Sequence, residues 1–162
     1  MSDVRIGLGI DTHPRSSEVG RPLFLGGIRF DGEAGLAGHS DGDAVCHALA
    51  DALLGAAGLG DVGEHFPESD PETSGIAGLD LLSRTVALLS ERGLAPARCD
   101  LTVLAERPHV APRREEMRAN LANALAVPVD DVSVKATRPE GLGLVGDGAG
   151  CIAVATVVPR PA

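Results

Sequence analysis

The stretch GHSDGDAVCHALADALLGAA, residues 38–57, leads from a glycine-rich loop into the first long helix that the sequence predicts. Ser40 or Asp41 is the expected N-cap, because either side chain can accept a hydrogen bond from a free backbone N–H group of the first turn. The apolar residues that follow recur at helical spacing and should form the face that packs on the core. This apolar stripe consists of Val45, Leu49, Ala52, Leu53 and Ala56.

A histidine stands on the other side of this helix. At about 100° per residue, His47 lies nearly opposite the apolar stripe, so we do not expect it to be a packed core histidine. Asp43 and Asp51 stand one turn away on either side, close enough to orient its ring. An ordinary solvated helix face would carry the same residues. The pattern is therefore typical of both a ligand histidine and a surface histidine.

Strands and helices surround this first helix in the predicted order β-β-α-α-β-α-β-β. The other segments are strands at 4–10, 23–30, 98–106, 132–137 and 151–158, and helices at 76–92 and 112–126. Loops rich in glycine, proline and aspartate are expected at 61–75 and 139–150. Because no linker is long enough to divide the chain, we expect one α/β (α+β) domain over residues 1–162.

The composition excludes several classes of protein. With 44% apolar and 23% charged residues among 162, the chain is globular rather than disordered. A net charge of −9 and only 2% aromatic residues leave neither the cationic surface nor the stacking groups that nucleic acid needs. A core built from Ala, Val, Leu and Ile contains few large side chains. Apolar surface buried between subunits would compensate for this, which favours an oligomer.

The cysteines and the start of the chain indicate the compartment. Cys46, Cys99 and Cys151 are odd in number and widely spaced, which suits a reducing cytoplasm better than a disulfide framework. The start carries no apolar leader, and no stretch approaches the ~18 apolar residues that span a membrane. We therefore expect a soluble cytoplasmic protein that has no membrane and no nucleic acid as a partner.

Three residues form a candidate metal site. Asp11 and His13 lie at the end of the first predicted strand and are two residues apart, so their side chains point to the same face. Taken alone, the pair is typical of an ordinary strand end. Together with His47 it supplies one oxygen and two nitrogens, a set typical of catalytic zinc with a fourth position open. Manganese and iron accept similar ligands, so the pattern leaves the metal open.

Two further segments could contact an anion. His39 and Ser40 lie just ahead of the first helix, where free backbone N–H groups favour a phosphate near the metal. In the second glycine-rich loop the backbone could approach a ligand closely, and Glu140 could bind a hard cation such as Mg²⁺. A plain tight hairpin loop explains the same residues equally well. His65 has no comparable support and is expected at the surface.

Three motifs resemble one family closely. They are GIDTHP at 9–14, GHSDGD at 38–43 with His47 four residues on, and GDVG at 60–63 followed by FPESD at 66–70. The family is 2-C-methyl-D-erythritol 2,4-cyclodiphosphate synthase of the non-mevalonate isoprenoid pathway, and the resemblance runs from about residue 4 to residue 158. It implies a mixed β-sheet with helices packed on one face, in a homotrimer whose active sites lie between subunits.

The resemblance also implies a reaction, that of a cyclising, CMP-forming phosphorus–oxygen lyase. The family's CDP-linked substrate is 4-diphosphocytidyl-2-C-methyl-D-erythritol 2-phosphate, whose 2-phosphate attacks the β-phosphorus, so that a cyclic diphosphate forms and CMP leaves. Asp11, His13 and His47 would hold zinc, or manganese at the same site. Glu140 would hold magnesium or manganese against the diphosphate, and His39 would stabilise the transition state.

The resemblance further implies three groups of substrate-binding residues. The metal side comprises Asp11, Thr12, His13, His39 and Ser40. The erythritol side comprises Asp61, Val62, Gly63, Phe66, Pro67, Glu68, Ser69 and Asp70. The cytidine side, which the neighbouring subunit would supply, comprises Ala105, Pro108, His109, Val110, Ala111, Ala136, Thr137, Arg138, Pro139, Glu140 and Leu144.

The second half of the chain departs from the family pattern at four positions. Arg138 stands where a threonine usually helps to stabilise the transferring phosphate, and it could assume this catalytic role by donating two hydrogen bonds. Pro139 has no N–H group to donate, and His109 replaces a lysine. Asp147 reverses the charge of an arginine that usually faces a cavity along the trimer axis. Three copies should repel an isoprenoid diphosphate from that cavity.

These departures leave three functions open. The first is the cyclodiphosphate synthase reaction itself. The second is a divergent paralogue that performs a related CMP-releasing cyclisation or phosphoryl transfer on another CDP-linked compound. The third is a non-catalytic metal-bound trimer that serves as a structural or ligand-binding protein.

Overall fold

The computed structural model describes residues 3–160, which form an α+β fold. The strands are β1 (Arg5–Pro14), β2 (Leu23–Leu25), β3 (Ile28–Phe30), β4 (Leu94–Ala105), β5 (Val132–Thr137) and β6 (Gly148–Pro159). The helices are α1 (Ala44–Ala57), α2 (Val62–His65), α3 (Gly78–Glu91) and α4 (Arg114–Leu125), with 3₁₀ turns at Pro71–Thr73, Ala111–Arg113 and Val129–Asp131. The expected domain limits at residues 1 and 162 lie outside the described residues.

A four-stranded mixed sheet in the order β1-β6-β4-β5 forms the centre of the fold. Strand β6 runs antiparallel to both β1 and β4, whereas β4 and β5 are parallel. Helix α4 supplies the crossover that a parallel pair needs. Strands β1 and β5 are therefore the two opposite edges of the sheet.

The helices pack on one face of this sheet. On β1, Gly7 and Gly9 face α1 so closely that a Cβ atom on either would lie 1.9 Å from a backbone oxygen of the helix. Because neither position has room for a side chain, the backbone of α1 lies directly on the strand. Helix α1 is consequently buried along almost its whole length.

The opposite face of the sheet is apolar and exposed. On β1, Ile6, Leu8 and Ile10 are 71%, 61% and 57% exposed, respectively. On the neighbouring strand β6, Ile152 and Val154 are 39% and 40% exposed. A single chain thus leaves a patch of large aliphatic side chains uncovered across two paired strands.

The structure corrects several predicted elements. Segment 23–30 is a hairpin rather than one strand, because Gly26 and Gly27 both have positive φ angles, of 59° and 72°, and reverse the chain. Strand β6 begins earlier than predicted, at Gly148, because the end of β1 extends the pairing. Segment 61–75 contains α2 and a 3₁₀ turn as well as loop.

The cysteines and the helix lengths bear on the environment of the chain. Cys46, Cys99 and Cys151 are buried and free. Burial raises the pKa of the Cys99 thiol to about 12, so it stays protonated at neutral pH. Among residues 3–160, no helix has the length and apolar character needed to cross a membrane.

Candidate active site

Asp11, His13 and His47 converge where the end of β1 lies against α1. The Oδ2 atom of Asp11 lies 2.7 Å from Nε2 of His13 and 3.4 Å from Nδ1 of His47, and these two ring nitrogens are 3.3 Å apart. All three donor atoms lie within 4.8 Å of one another. The spacing on the strand thus brings Asp11 and His13 to one face, where the helix supplies His47.

The chemistry of this cluster fits a divalent metal ion. Burial acts to raise the pKa of Asp11, but the His13 and His47 rings beside it outweigh that effect and lower the pKa to about 2. The carboxylate is therefore ionised at neutral pH. Its Oδ2 atom is buried and makes no well-directed hydrogen bond to either ring. The cluster thus offers one ionised oxygen without a hydrogen-bond donor and two imidazole nitrogens. This donor set suits zinc or a similar ion.

The loop ahead of α1 contacts both histidines. The Oγ atom of Ser40 lies 3.0 Å from Nε2 of His47, which leaves Nδ1 directed towards Asp11. A polar partner on the second ring nitrogen fixes the orientation of a ligand histidine. Gly38 lies against the other ring, and a Cβ atom there would be 3.3 Å from Cε1 of His13.

The prediction that Asp43 orients the His47 ring is wrong. Asp43 is fully buried and is itself the N-cap of α1, so the N-cap is neither Ser40 nor Asp41. Its carboxylate accepts hydrogen bonds of 2.7 to 3.1 Å from the N–H groups of Gly26, Gly27, Val45 and Cys46. Asp43 therefore ties the β2–β3 hairpin to the start of α1.

A cavity of about 180 Å³ opens beside the metal cluster, and we call it the first cavity. His47, only 9% exposed, faces it instead of open solvent. Most of the predicted metal-side and erythritol-side residues line it, namely Asp11, His13, His39, Ser40, Val62, Gly63, Phe66 and Glu68. Five predicted residues do not line it, namely Thr12, Asp61, Pro67, Ser69 and Asp70.

Local contacts account for two of the five residues that do not line the first cavity. The carboxylate of Asp61 accepts a hydrogen bond from the N–H of Glu64 at 3.0 Å and caps α2. The carboxylate of Asp70 accepts one from the N–H of Glu72 at 2.9 Å and caps the following 3₁₀ turn. Both side chains are thus turned towards a helix start.

The sequence interpretation also missed residues that line the first cavity. Asp51, one helical turn after His47, accepts a hydrogen bond from the N–H of Val62 at 2.8 Å. The helical spacing between Asp51 and His47 is a signal for a shared site, although the sequence analysis uses it only to predict that Asp51 orients the ring. The other missed residues are Gly38, Thr73, Ile76 and Leu81. His65 lies outside the lining, with Nε2 2.7 Å from the carbonyl of Leu59.

A second cavity, of about 140 Å³, lies at the carboxyl ends of the parallel strands β4 and β5. Eight predicted cytidine-side residues line it, namely Ala105, Pro108, His109, Val110, Ala111, Ala136, Thr137 and Arg138. The guanidinium of Arg138 contacts Nε2 of His109. Arg114, in the first turn of α4, also lines this cavity and was not predicted.

Three predicted cytidine-side residues lie outside the second cavity. Leu144 is exposed, and Pro139 is buried away from the lining. Glu140 is exposed and has a φ angle of 55°. Within residues 3–160, the metal cluster at β1 is the one group of three potential ligands, so the role of Glu140 stays a prediction.

Among residues 3–160, the two cavities share no lining residue. The first lies at β1, one edge of the sheet, and the second lies where β4 and the opposite edge strand β5 end. One chain therefore does not bring the metal cluster and the predicted cytidine side together.

The sequence is similar to known proteins along nearly its whole length. A family model described as the YgbB family matches residues 4–159. The 2-C-methyl-D-erythritol 2,4-cyclodiphosphate synthase of Symbiobacterium thermophilum is 50% identical over 157 residues, which cover 96% of this chain and 99% of the relative. A bifunctional enzyme IspD/IspF of Anaeromyxobacter is 51% identical over 155 residues, and this chain spans only 39% of its length.

Solved structures share the fold. A structure of 2C-methyl-D-erythritol-2,4-cyclodiphosphate synthase in a CDP-bound form matches with a TM-score of 0.85 and 35% identity, covering 94% of this chain and 99% of that one. The bifunctional IspDF of Campylobacter jejuni matches with a TM-score of 0.90 and 33% identity, covering 98% of this chain and 43% of that one. The likeness therefore extends from the motifs to the whole described backbone.

Proposed function

Because the chain belongs to the YgbB family, we propose that it cyclises 4-diphosphocytidyl-2-C-methyl-D-erythritol 2-phosphate to 2-C-methyl-D-erythritol 2,4-cyclodiphosphate and releases CMP. The observation that carries the proposal is the convergence of Asp11, His13 and His47 beside a cavity that His39 and Ser40 also line. A half-identical synthase that matches over almost its entire length supports the same substrate.

The proposed reaction exchanges one phosphorus–oxygen bond for another. An oxygen of the substrate's 2-phosphate attacks the β-phosphorus and closes an eight-membered ring. The bond from the β-phosphorus to the oxygen that bridges it to the α-phosphorus breaks, so CMP leaves with that oxygen. No water is consumed, which makes the enzyme a phosphorus–oxygen lyase. Transfer of this kind depends mainly on positioning and on neutralising charge.

Residues of the first cavity position the β-phosphate. Asp11, His13 and His47 would hold a zinc or manganese ion, which would supply Lewis-acid polarisation of a phosphate oxygen. His39 donates a hydrogen bond to the transferring phosphate, and Ser40 keeps the His47 ring oriented. The apolar side chains of the lining limit the access of water to the ring-closing step.

Residues of the second cavity bind the cytidine and its α-phosphate. The guanidinium of Arg138 donates paired hydrogen bonds to phosphate oxygens in place of a hydroxyl group. His109 lies against Arg138 at the same place and supports this anion site. Glu140, in the adjoining loop, would hold magnesium or manganese, which would offset the charge of the diphosphate.

We extend the proposal to a homotrimer with active sites between subunits. The two cavities lie towards opposite edges of one sheet, so a neighbouring chain would have to bring its second cavity against the first. The exposed aliphatic patch on β1 and β6 supports burial between subunits. The predicted repulsion by Asp147 depends on this assembly. Three free, buried cysteines support a cytoplasmic location.

The test is release of CMP together with ³¹P NMR of the product. The purified protein receives zinc, magnesium and 4-diphosphocytidyl-2-C-methyl-D-erythritol 2-phosphate. Release of CMP with a cyclic diphosphate signal is expected, and His47→Ala should abolish both. His65→Ala is the matched control and should retain activity, because that ring lies outside the first cavity. A folded, metal-loaded protein that releases no CMP would contradict the proposal.

Arg138, which lines the second cavity where the family pattern has a threonine, favours a second candidate function. A bulky cation that lines the second cavity suits a related CMP-releasing reaction on another CDP-linked compound. Arg138→Thr separates the two candidates. If the usual substrate is the true one, the variant should lower kcat/KM for it. If the wild type instead uses that substrate weakly and Arg138→Thr raises kcat/KM for it, the second candidate is favoured.

A further inference from the structure

An arginine outside both cavities holds the loop that carries His39 and Ser40. The side chain of Arg21, just ahead of β2, is 19% exposed. Its guanidinium donates to three backbone carbonyls of residues 36–40. Nε donates to the carbonyl of Leu36 at 2.6 Å, and Nη2 donates to those of Gly38 and Ser40 at 3.1 and 2.5 Å. Alternate carbonyls of this loop therefore share one charged donor.

Other contacts hold the same loop more weakly. The N–H of Ala37 donates to the carbonyl of Pro14 at 2.9 Å, and the N–H of Gly75 donates to the carbonyl of His39 at 3.0 Å. Both are single bonds between neutral backbone groups, whereas bonds from a guanidinium are charge-assisted and stronger. Among the hydrogen bonds that the described residues make to the backbone of 36–40, in the loop between β3 and α1, those from Arg21 are therefore the charge-assisted ones.

The loop positions groups at the metal cluster. Ser40 uses its carbonyl for Arg21 and its Oγ for Nε2 of His47, at 3.0 Å. A displacement of its backbone would therefore also displace the hydroxyl that orients the His47 ring. Gly38, a second carbonyl partner of Arg21, lies against the ring of His13.

We propose that Arg21 is a positioning residue of the metal site, which fixes the loop so that Ser40 orients His47 and His39 faces the first cavity. Arg21 does not line that cavity, so it acts through these residues and not on a substrate. The kinetic readout of this inference rests on the proposed function, whereas its metal-binding readout does not. Lysine cannot replace the planar fork that spans three carbonyls, because an ammonium group is a compact point charge.

The experiment compares Arg21→Met and Arg21→Lys with a matched control, Arg29→Met. Within residues 3–160, the exposed Arg29 guanidinium pairs only with Asp31, which directly follows β3 and lies 2.9 Å away. Zinc affinity is measured by competition with a chromogenic chelator, and the site geometry by the visible spectrum of the cobalt-substituted protein. Removal of a group that bonds a metal ligand directly typically costs about 10- to 100-fold in affinity, and because Arg21 acts through Ser40 we expect Arg21→Met to lose up to about 10-fold in zinc affinity. Its cobalt spectrum should change, and the Arg29→Met control should match the wild type.

Kinetics at saturating zinc supply a second readout. Arg21→Met should lower kcat about tenfold or more, because a supporting contact that is lost lets the site geometry drift. KM should change little, because the second cavity is untouched. Arg21→Lys should fall between the wild type and Arg21→Met. A Met variant that does not fold leaves the lysine variant to carry the same comparison.

A double-mutant cycle with Ser40→Ala tests the route. If Arg21 acts through Ser40, Arg21→Met should reduce zinc affinity much less in the Ser40→Ala background than in the wild type. Equal losses in both backgrounds would overturn that route. An Arg21→Met protein with wild-type zinc affinity and cobalt spectrum, and only a lowered Tm, would overturn the proposal. A wild type that binds zinc but releases no CMP would refute the proposed function and leave this comparison intact.

Discussion

Substitutions of Asp43 should destabilise the fold while leaving the metal ligands in place. One carboxylate oxygen accepts from three N–H groups at 2.8 to 3.1 Å, and the other accepts from the N–H of Gly27 at 2.7 Å. Asparagine keeps one acceptor oxygen and is as good an N-cap as aspartate. Its amide NH₂ would, however, face the Gly27 N–H, donor against donor. Asp43→Asn therefore isolates the tie between the hairpin and α1.

The expected loss in the free energy of unfolding follows from the N–H groups that each variant leaves without an acceptor. Asp43→Asn leaves the N–H of Gly27 without an acceptor and adds a repulsive contact. The loss of a hydrogen bond to a charged group costs about 2–3 kcal/mol. Asp43→Ala removes the N-cap, worth about 1 kcal/mol, and leaves the N–H groups of Gly26 and Gly27 without an acceptor. The total should be about 4–6 kcal/mol. The free energy of unfolding of native domains is only about 5–15 kcal/mol, so the alanine variant should be close to unfolding.

The assay is urea unfolding of the metal-free protein in the presence of a chelator, at one fixed protein concentration. Both conditions matter, because ligand binding and assembly stabilise the folded state by mass action. Asp31→Asn, on an 84% exposed side chain, is the matched control and should change the free energy of unfolding by less than about 0.5 kcal/mol. The folded Asp43→Asn protein should still bind zinc as the wild type does. Loss of zinc affinity with unchanged stability would refute this reasoning and restore a role beside His47.

Other predictions concern packing, the thiols and assembly. Gly9→Ala should prevent stable folding, measured by circular dichroism and soluble yield, because its Cβ would lie 1.9 Å from the carbonyl oxygen of Ala48. Gly55→Ala in α1, where a Cβ would meet no neighbouring group of residues 3–160 within 4 Å, should instead raise the free energy of unfolding by about 0.5–1 kcal/mol; equal behaviour of the two variants would contradict the packing argument. The native thiols should not react with a disulfide reagent at pH 8, since burial raises the pKa of Cys99 to about 12 and also raises those of Cys46 and Cys151. All three should react in urea, and a fast native reaction would show that one is accessible. Leu8→Glu on the exposed sheet face should give monomers in sedimentation velocity, while Val129→Glu on another surface should not; an unchanged Leu8→Glu oligomer would exclude this face as the interface.

The metal cluster was predictable because its positions depend on local periods. A separation of two residues on a strand places Asp11 and His13 on one face, and the helical period places His47 away from the apolar stripe. The strand at 132–137 was predicted with its observed bounds for the same reason. Asp43 was misinterpreted because its partners in the hairpin come from far along the sequence. A helical projection contains no information about those N–H groups.

Strand β1 illustrates a feature on which the sequence analysis makes no prediction, namely which face of the strand is buried. Its large aliphatic residues alternate with glycines, and hydrophobicity alone would place Ile6 and Leu8 against the helices. The structure has the reverse arrangement, because α1 lies so close to the strand that only Gly7 and Gly9 fit beneath it. The distance between two elements, which the sequence does not state, decided which face is inside. An Ala-rich helix opposite glycines is the signal that could have indicated it.

The placement of charge, more than its total of −9, decides how an acidic chain accepts a phosphorylated substrate. Among the residues that line the first cavity in the described part of the chain there is no lysine or arginine, while Asp11, Asp51 and Glu68 are acidic. Phosphate binding there needs a divalent ion to offset those carboxylates. The second cavity has the opposite character, with Arg114 and Arg138 in its lining. A diphosphate substrate needs both a metal site and cationic side chains, and neither cavity of one chain supplies both. Under the proposed function, the catalytic unit is therefore the assembly, and a substitution such as Leu8→Glu that separates the subunits should abolish CMP release while the folded monomer still binds zinc.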